Sequence, residues 1–183
     1  MIKINIDGRD IEVEEGITVL QAARQAKIDI PTLCFLKDIN EAGDCRMCIV
    51  EIEGRRGLVP SCNTKVEEGM KIKTNTPVIN ESRRVILDLI LSSHNKTCLT
   101  CVRSGNCELQ TLAEKFGMKQ IEYPGKEVEP HLDDISPSIV RDASKCIMCK
   151  RCVATCKNVQ KITAIDVAGR GFKSHISTAN EES

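Results

Sequence analysis

Eleven cysteines fall into three groups along 183 residues, in a chain with three Phe, one Tyr and no Trp. Large aromatic side chains usually supply much of a small core, so something else must hold the cysteine-rich stretches in place. Bound metal does this where metal binding is coupled to folding. The odd cysteine count argues against a disulfide framework, and reduced thiols persist in the cytoplasm. The expected location is therefore cytoplasmic, free or at the periphery of a complex. The N-terminus, MIKINIDGRD, has neither an apolar h-region nor a cleavage signal.

The first group is Cys34, Cys45, Cys48 and Cys62, spaced C-x10-C-x2-C-x13-C. Thiolates are soft ligands that suit iron–sulfur clusters and zinc. A plant-type [2Fe–2S] site also combines a loop cysteine, a C-x2-C pair and a distant fourth cysteine. Gly43 and Asp44 let the backbone wrap close to sulfide. The second group, His94, Cys98, Cys101 and Cys107, is spaced H-x3-C-x2-C-x5-C and suits zinc or a [4Fe–4S] cluster. One neutral imidazole in place of a thiolate makes such a site less negative, and net charge helps set cluster potential. The third group, Cys146, Cys149, Cys152 and Cys156, is the bacterial ferredoxin run C-x2-C-x2-C-x3-C, the most specific signal here. In two-cluster ferredoxins the fourth cysteine of a run serves the other cluster. No second run exists in this chain, and Lys157 stands where Pro usually follows. The three groups use every cysteine, leaving none as a nucleophile.

The surroundings of these groups predict an α+β chain. MIKINI and DIEVEE alternate apolar and polar residues around Asp7-Gly8, a hairpin signal. Thr18 caps a helix over Val19–Ala26, with Ile30-Pro31 as its stop. Strands follow at Cys48–Glu53 and Met70–Lys73, closing a domain by residue 76. Thr76-Pro77 opens a second helix with an apolar stripe of Val78, Ile79, Val85, Ile86, Leu89 and Ile90, ending at Ser92-Ser93-His94. A short helix spans Cys107–Phe116 and stops at Gly117. Residues 123–137 read as a loop or linker. A third domain begins near Pro137, with a strand at Ile162–Val167 and a polar tail. The domains are thus 1–76, 77–122 and 137–183.

With 26 basic and 26 acidic residues the chain is neutral, so nucleic acid is a poor partner. No run of eighteen apolar residues exists to span a membrane. There is no G-x-G-x-x-G after a strand and no G-x-x-x-x-G-K-[ST]; Gly169-Arg170-Gly171 reads as a turn. No nicotinamide or flavin site is visible. His131 and His175 have no cysteine nearby and read as solvent-facing or minor structural residues, and the charges of 126–134 as a solvated loop.

The order of the three motifs resembles the N-terminal iron–sulfur region shared by three related proteins. These are the large iron–sulfur subunit of NADH:quinone oxidoreductase, the diaphorase iron–sulfur subunit of NAD-linked hydrogenases, and the multi-cluster [FeFe]-hydrogenases, including those of electron-bifurcating complexes. The resemblance covers essentially the whole chain, and it makes zinc the lesser alternative at the first two groups. It implies a β-grasp domain with a [2Fe–2S] cluster on Cys34, Cys45, Cys48 and Cys62. It implies a small helical domain with a [4Fe–4S] cluster on His94, Cys98, Cys101 and Cys107. A ferredoxin-like third domain would then hold a [4Fe–4S] cluster, incomplete here, at Cys146, Cys149, Cys152 and Cys156. No catalytic residue is implied, and iron is bound through these ligands alone. The leading expectation is a relay passing electrons between a flavin and NAD(P)-binding subunit and a hydrogenase, a ferredoxin or a second flavin subunit. The alternatives are the N-terminal part of a longer [FeFe]-hydrogenase and a zinc-stabilised interaction module.

Overall fold

The computed structural model describes residues 1–126, 132–134 and 138–178. They divide into two compact units. The first is Met1–Phe35 with Glu41–Ile86; the second is Leu36–Asn40 with the described residues from Leu87 onward.

In the first unit, β1 (Ile2–Ile6) and β2 (Arg9–Val13) form the expected hairpin. Both turn residues, Asp7 and Gly8, have positive φ, 51° and 83°, as the twist-matched two-residue turn requires. A helix, α1 (Val19–Gln25), comes next, then β3 (Ile49–Ile52), β4 (Leu58–Pro60) and β5 (Lys71–Lys73). The sheet order is β2-β1-β5-β3-β4, with β1 and β5 parallel and the other pairs antiparallel. Ile4, Ile6, Leu20, Ala23, Val50 and Ile72 pack in one core between the sheet and α1. Strand β4 was not expected: it is three residues long and ends on Pro60, which only an edge tolerates.

Thr18 caps α1 as read, in a full capping box with Gln21. The helix stops earlier than Ile30-Pro31. Lys27 turns left-handed (φ 57°), its amide donates to Arg24 O and that of Ile28 to Ala23 O (3.1 and 2.8 Å). This is a Schellman ending in which Lys27 takes the position usually given to Gly.

Helix α2 (Pro77–Ser93) starts and ends as read, with the Thr76 hydroxyl accepting from Ile79 N–H. Its buried side differs from the expected stripe. Val78 and Leu89 are exposed, while Ile79, Arg83, Leu87, Asp88 and Ser92 are buried. Ser92 Oγ donates within the helix to Leu89 O, while Arg83 and Asp88 face backbone groups of other segments, which an apolar stripe could not serve. Arg83 donates to Met47 O and Ile49 O in the first unit. In the second, Asp88 accepts from the amides of Glu122 and Tyr123.

The second unit continues with α3 (Glu108–Lys115), closed at Gly117 (φ 65°). Two short strands, β6 (Leu132–Asp133) and β7 (Arg141–Asp142), pair within and beyond the stretch read as a linker, and Arg141 pairs with Asp133. One helical turn, α4 (Arg151–Ala154), runs into a wider π turn at Thr155–Val159. The strand expected at Ile162–Val167 is β8 (Ile165–Ala168), and it pairs with an unforeseen β9 (His175–Thr178). His175 is half-buried there, with its ring against Lys173 O (3.0 Å). The reading of His131 and most of the tail lies outside the described residues. Among those described, no helix is long and apolar enough to cross a membrane.

Candidate metal centres

The first group sits where the core meets the loop after α1. Cys34, Cys48 and Cys62 are buried and Cys45 is half-buried. The first two residues of α1 fasten the Cys62 arm: Val19 N–H donates to Thr64 O (2.8 Å) and Leu20 N–H to Ser61 O (3.0 Å). These helix-terminal donors would otherwise lack partners. Arg24 lies 4.7 Å from the centre of the Phe35 ring and steadies the residue beside Cys34. Gly43 has φ 75°, and a Cβ there would meet Asn63 Nδ2 at 3.0 Å, so the loop closes tightly on the Cys62 arm. Arg83 holds the backbone on both sides of Cys48, with Nε to Met47 O at 3.0 Å and Nη2 to Ile49 O at 2.8 Å.

The sulfurs of this group meet in pairs. Cys34 N–H points at Cys45 Sγ (3.4 Å) and Cys45 N–H at Cys34 Sγ (3.5 Å). A hydrogen bond from the Cys34 thiol holds Cys45 down to about 6, and one from Cys62 holds Cys48 down to about 7. Donating those bonds, together with burial, pushes Cys34 and Cys62 well up. Four cysteine sulfurs sharing protons in pairs, with one of each pair drawn towards the thiolate, are a donor set that iron would convert to four thiolates. The set therefore fits a thiolate-bound cluster. Ser61 is wholly buried beside Cys48, and its hydroxyl has no oxygen or nitrogen partner.

The second group lines one loop between α2 and α3. His94 follows the last residue of α2, Cys98 opens a single tight turn (Cys98–Thr100), Cys101 closes it, and Cys107 is the N-cap of α3. The His94 Nδ1 atom is buried with no hydrogen-bond partner. Burial, with Lys145 and Lys96 nearby, keeps its pKa below the ordinary value, so the ring is neutral at pH 7. A neutral imidazole with an unsatisfied buried nitrogen fits a metal ligand, since native proteins rarely leave such an atom alone. Between His94 and Cys98, Asn95 Oδ1 accepts from Thr97 N–H (2.9 Å) and the Thr97 hydroxyl (2.7 Å).

In the third group Cys146 follows a tight turn at Ala143–Lys145, Cys149 precedes α4, Cys152 lies on α4, and Cys156 lies in the π turn. Amides aim at two of these sulfurs: Met148 N–H at Cys146 Sγ (3.4 Å) and Ala164 N–H at Cys156 Sγ (3.2 Å). Such N–H···S contacts are the usual support of thiolate ligands. Met148 and Lys150 adopt positive φ, 54° and 58°, which folds the run back on itself. Asn40 Nδ2 donates to Cys149 O (3.0 Å) and Asn158 Nδ2 to Ile39 O (2.8 Å).

The second and third groups are joined within their unit. Asn95 N–H donates to Ser144 O at 3.0 Å, Lys145 Nζ reaches Asn95 Oδ1 and Thr97 Oγ1, and Arg151 pairs with Glu108. Among the described residues no three His, Cys, Asp or Glu side chains converge on the point a lone ion would occupy; a cluster spreads its ligands over several irons. Sequence reading missed Arg83, Ser61, Asn95 and Lys145. Only Arg83 left a signal, four residues from each of the buried Ile79 and Leu87.

Three families match in succession: a 2Fe-2S iron-sulfur cluster binding domain over residues 1–77, an NADH-ubiquinone oxidoreductase-G iron-sulfur binding region over 83–122, and an NADH-quinone oxidoreductase subunit 3 ferredoxin-like domain over 136–183. The NADP-reducing hydrogenase subunit HndD of Solidesulfovibrio fructosivorans is 48% identical over 99% of this chain and 32% of its own length. The NADH-ubiquinone oxidoreductase 75 kDa subunit of Reclinomonas americana is 35% identical over 97% of this chain and 26% of its own length. The chain thus spans a third or less of these relatives. A chain of an NAD+-reducing [NiFe]-hydrogenase, solved in the H2-reduced state, superposes with a TM-score of 0.89 at 30% identity, covering 97% of this chain and 74% of that one.

Proposed function

This chain belongs to the iron–sulfur family that includes the 75 kDa subunit of NADH-ubiquinone oxidoreductases and subunits of NAD(P)-linked hydrogenases, and on that premise we propose that it is the electron relay of such a complex. Its cofactors are a [2Fe–2S] cluster and [4Fe–4S] clusters. A bound cluster takes up and gives back one electron at a time, which is the chemistry a relay needs. We assign the [2Fe–2S] ligands as Cys34, Cys45, Cys48 and Cys62 on a β-grasp domain. The ligands of one [4Fe–4S] cluster are His94, Cys98, Cys101 and Cys107, and those of another are drawn from Cys146, Cys149, Cys152 and Cys156.

The observation that carries the relay reading is the Asn95 N–H···O Ser144 bond of 3.0 Å. It joins the residue after His94 to a residue two before Cys146, so one backbone hydrogen bond links the two ligand runs directly. The protein's own part is to bind the clusters, hold the second and third ligand runs together within their unit, and aim amides at their sulfurs. A partner subunit with flavin would exchange electrons with NAD(P)H, and a hydrogenase, a ferredoxin or a second flavin subunit would stand at the other end. This chain holds no substrate site of its own in that scheme.

Iron and sulfide should be counted on anaerobically purified protein, with EPR of the reduced sample. About ten irons per chain, for one [2Fe–2S] and two [4Fe–4S] clusters, would bear out the assignment. Zinc in place of iron would end it. Reduction by NADH or NADPH should require an added flavoprotein partner; reduction without one would contradict the relay role.

A further inference from the structure

We propose that Lys145 is the electrostatic pin between the second and third metal centres, raising the reduction potential of the histidine-ligated cluster while fixing the loop that carries its ligands. The inference rests on the ligand reading given above. Lys145 immediately precedes Cys146, yet its ammonium turns to the other centre. Nζ donates to Asn95 Oδ1 at 2.9 Å and to Thr97 Oγ1 at 2.6 Å. Those acceptors are two of the three residues between His94 and Cys98. Asn95 Oδ1 also accepts from the amide and hydroxyl of Thr97, and Asn95 N–H is tied to Ser144 O. The ammonium is thus the hub of a network holding the spacer of one ligand set against the approach to the next.

The consequence follows from charge. Reducing a cluster adds one negative charge, and a positive charge held nearby stabilises the reduced state more than the oxidised one. A mobile lysine would be screened by water; one held by two hydrogen bonds and half-buried keeps its effect.

The test is an EPR-monitored redox titration of the cluster-loaded protein and of Lys145→Gln, Lys145→Arg and Asn95→Asp, with iron and sulfide counted in each. Asn95→Asp retains the Oδ1 acceptor but cancels the charge of Lys145, so it separates charge from geometry if Lys145→Gln assembles poorly. The expected result is a shift of the histidine-ligated cluster to more negative potential in the Gln and Asp variants. The Arg variant should stay close to the parent, and the [2Fe–2S] potential should not move in any of them. An unmoved potential in Asn95→Asp with full iron content would overturn the inference while leaving the ligand reading intact. Absence of nitrogen coupling in the parent's [4Fe–4S] signals would overturn both.

Discussion

Arg83 grips the backbone on both sides of Cys48. Its Nε and Nη2 donate to the carbonyls of Met47 and Ile49 (3.0 and 2.8 Å), and the side chain is 3% exposed. Burial lowers its pKa to about 10, with Cys48, Asp29 and Asp7 the opposite charges that act on it, so it remains charged at pH 7. Lysine would hold the two carbonyls less well, because the guanidinium fork presents its donors in a fixed plane whereas an ammonium donates from a single nitrogen. Arg83→Met should cost about 2–4 kcal/mol in chemical unfolding, since two buried carbonyls lose their donors. It should also lower [2Fe–2S] content, and Arg83→Lys should fall between. A parent-like unfolding midpoint for Arg83→Met would show that the carbonyls find other partners.

His94 gives a pH dependence of known sign. The unfolded imidazole takes a proton near 6.5, whereas the folded one takes it only at lower pH because the ring is buried and faces lysines. Between those values the unfolded chain holds more protons. The stability due to neutral His94 is therefore complete above pH 6.5 and is lost as the pH falls through the folded value. Urea unfolding of iron-free protein between pH 7 and 5 should show a steeper loss for the parent than for His94→Gln. Equal slopes would mean that the ring is not held neutral by its surroundings.

Ser61 presents a hydroxyl with no oxygen or nitrogen acceptor, wholly buried against Cys48. The sulfur is the remaining acceptor, and this hydroxyl helps hold the Cys48 thiol down. A donor to a ligand sulfur favours the reduced cluster. Ser61→Ala should accordingly make the [2Fe–2S] potential more negative while changing unfolding free energy by less than about 1 kcal/mol, because the one bond lost is to sulfur, a weak acceptor. A potential equal to the parent's would show that the hydroxyl points elsewhere.

What could be read in advance, and what could not, divides along physical lines. The Asp7-Gly8 turn, the Thr18 cap and Pro77 at the start of α2 depend on local chemistry, and the chain carries that chemistry in adjacent residues. Strand β4 and strand β9 depend on a partner strand to complete them, and neither has enough alternation of its own. The extent of α1 is legible in its pattern, but its stop is not: Lys27 rather than Ile30-Pro31 ends it, by accepting a left-handed φ that the sequence offers no glycine for. The candidate ligands are written in their spacing, yet the residues around them are not. Arg83, Ser61, Asn95 and Lys145 derive their roles from carbonyls, sulfurs and side chains brought in by folding.

Asp88 shows the same dependence in the second unit. Its two carboxylate oxygens each accept a backbone amide, Oδ2 from Glu122 (2.8 Å) and Oδ1 from Tyr123 (3.0 Å), at 3% exposure. These bonds fasten the segment after α3 to α2, whose end leads into His94. Asp88→Ala removes two part-buried hydrogen bonds to a charged group, each worth about 1.5–3 kcal/mol. Asp88→Asn keeps one acceptor oxygen but turns an amide towards the second donor, so it should recover less than half of the loss. Hydrogen exchange reads the effect directly. The amides of Glu122 and Tyr123 should lose protection in Asp88→Ala, while those of β1 and β5 keep theirs. Uniform loss across both units would instead mean that Asp88 supports the whole fold, and unchanged protection at Glu122 and Tyr123 would mean that the carboxylate is dispensable.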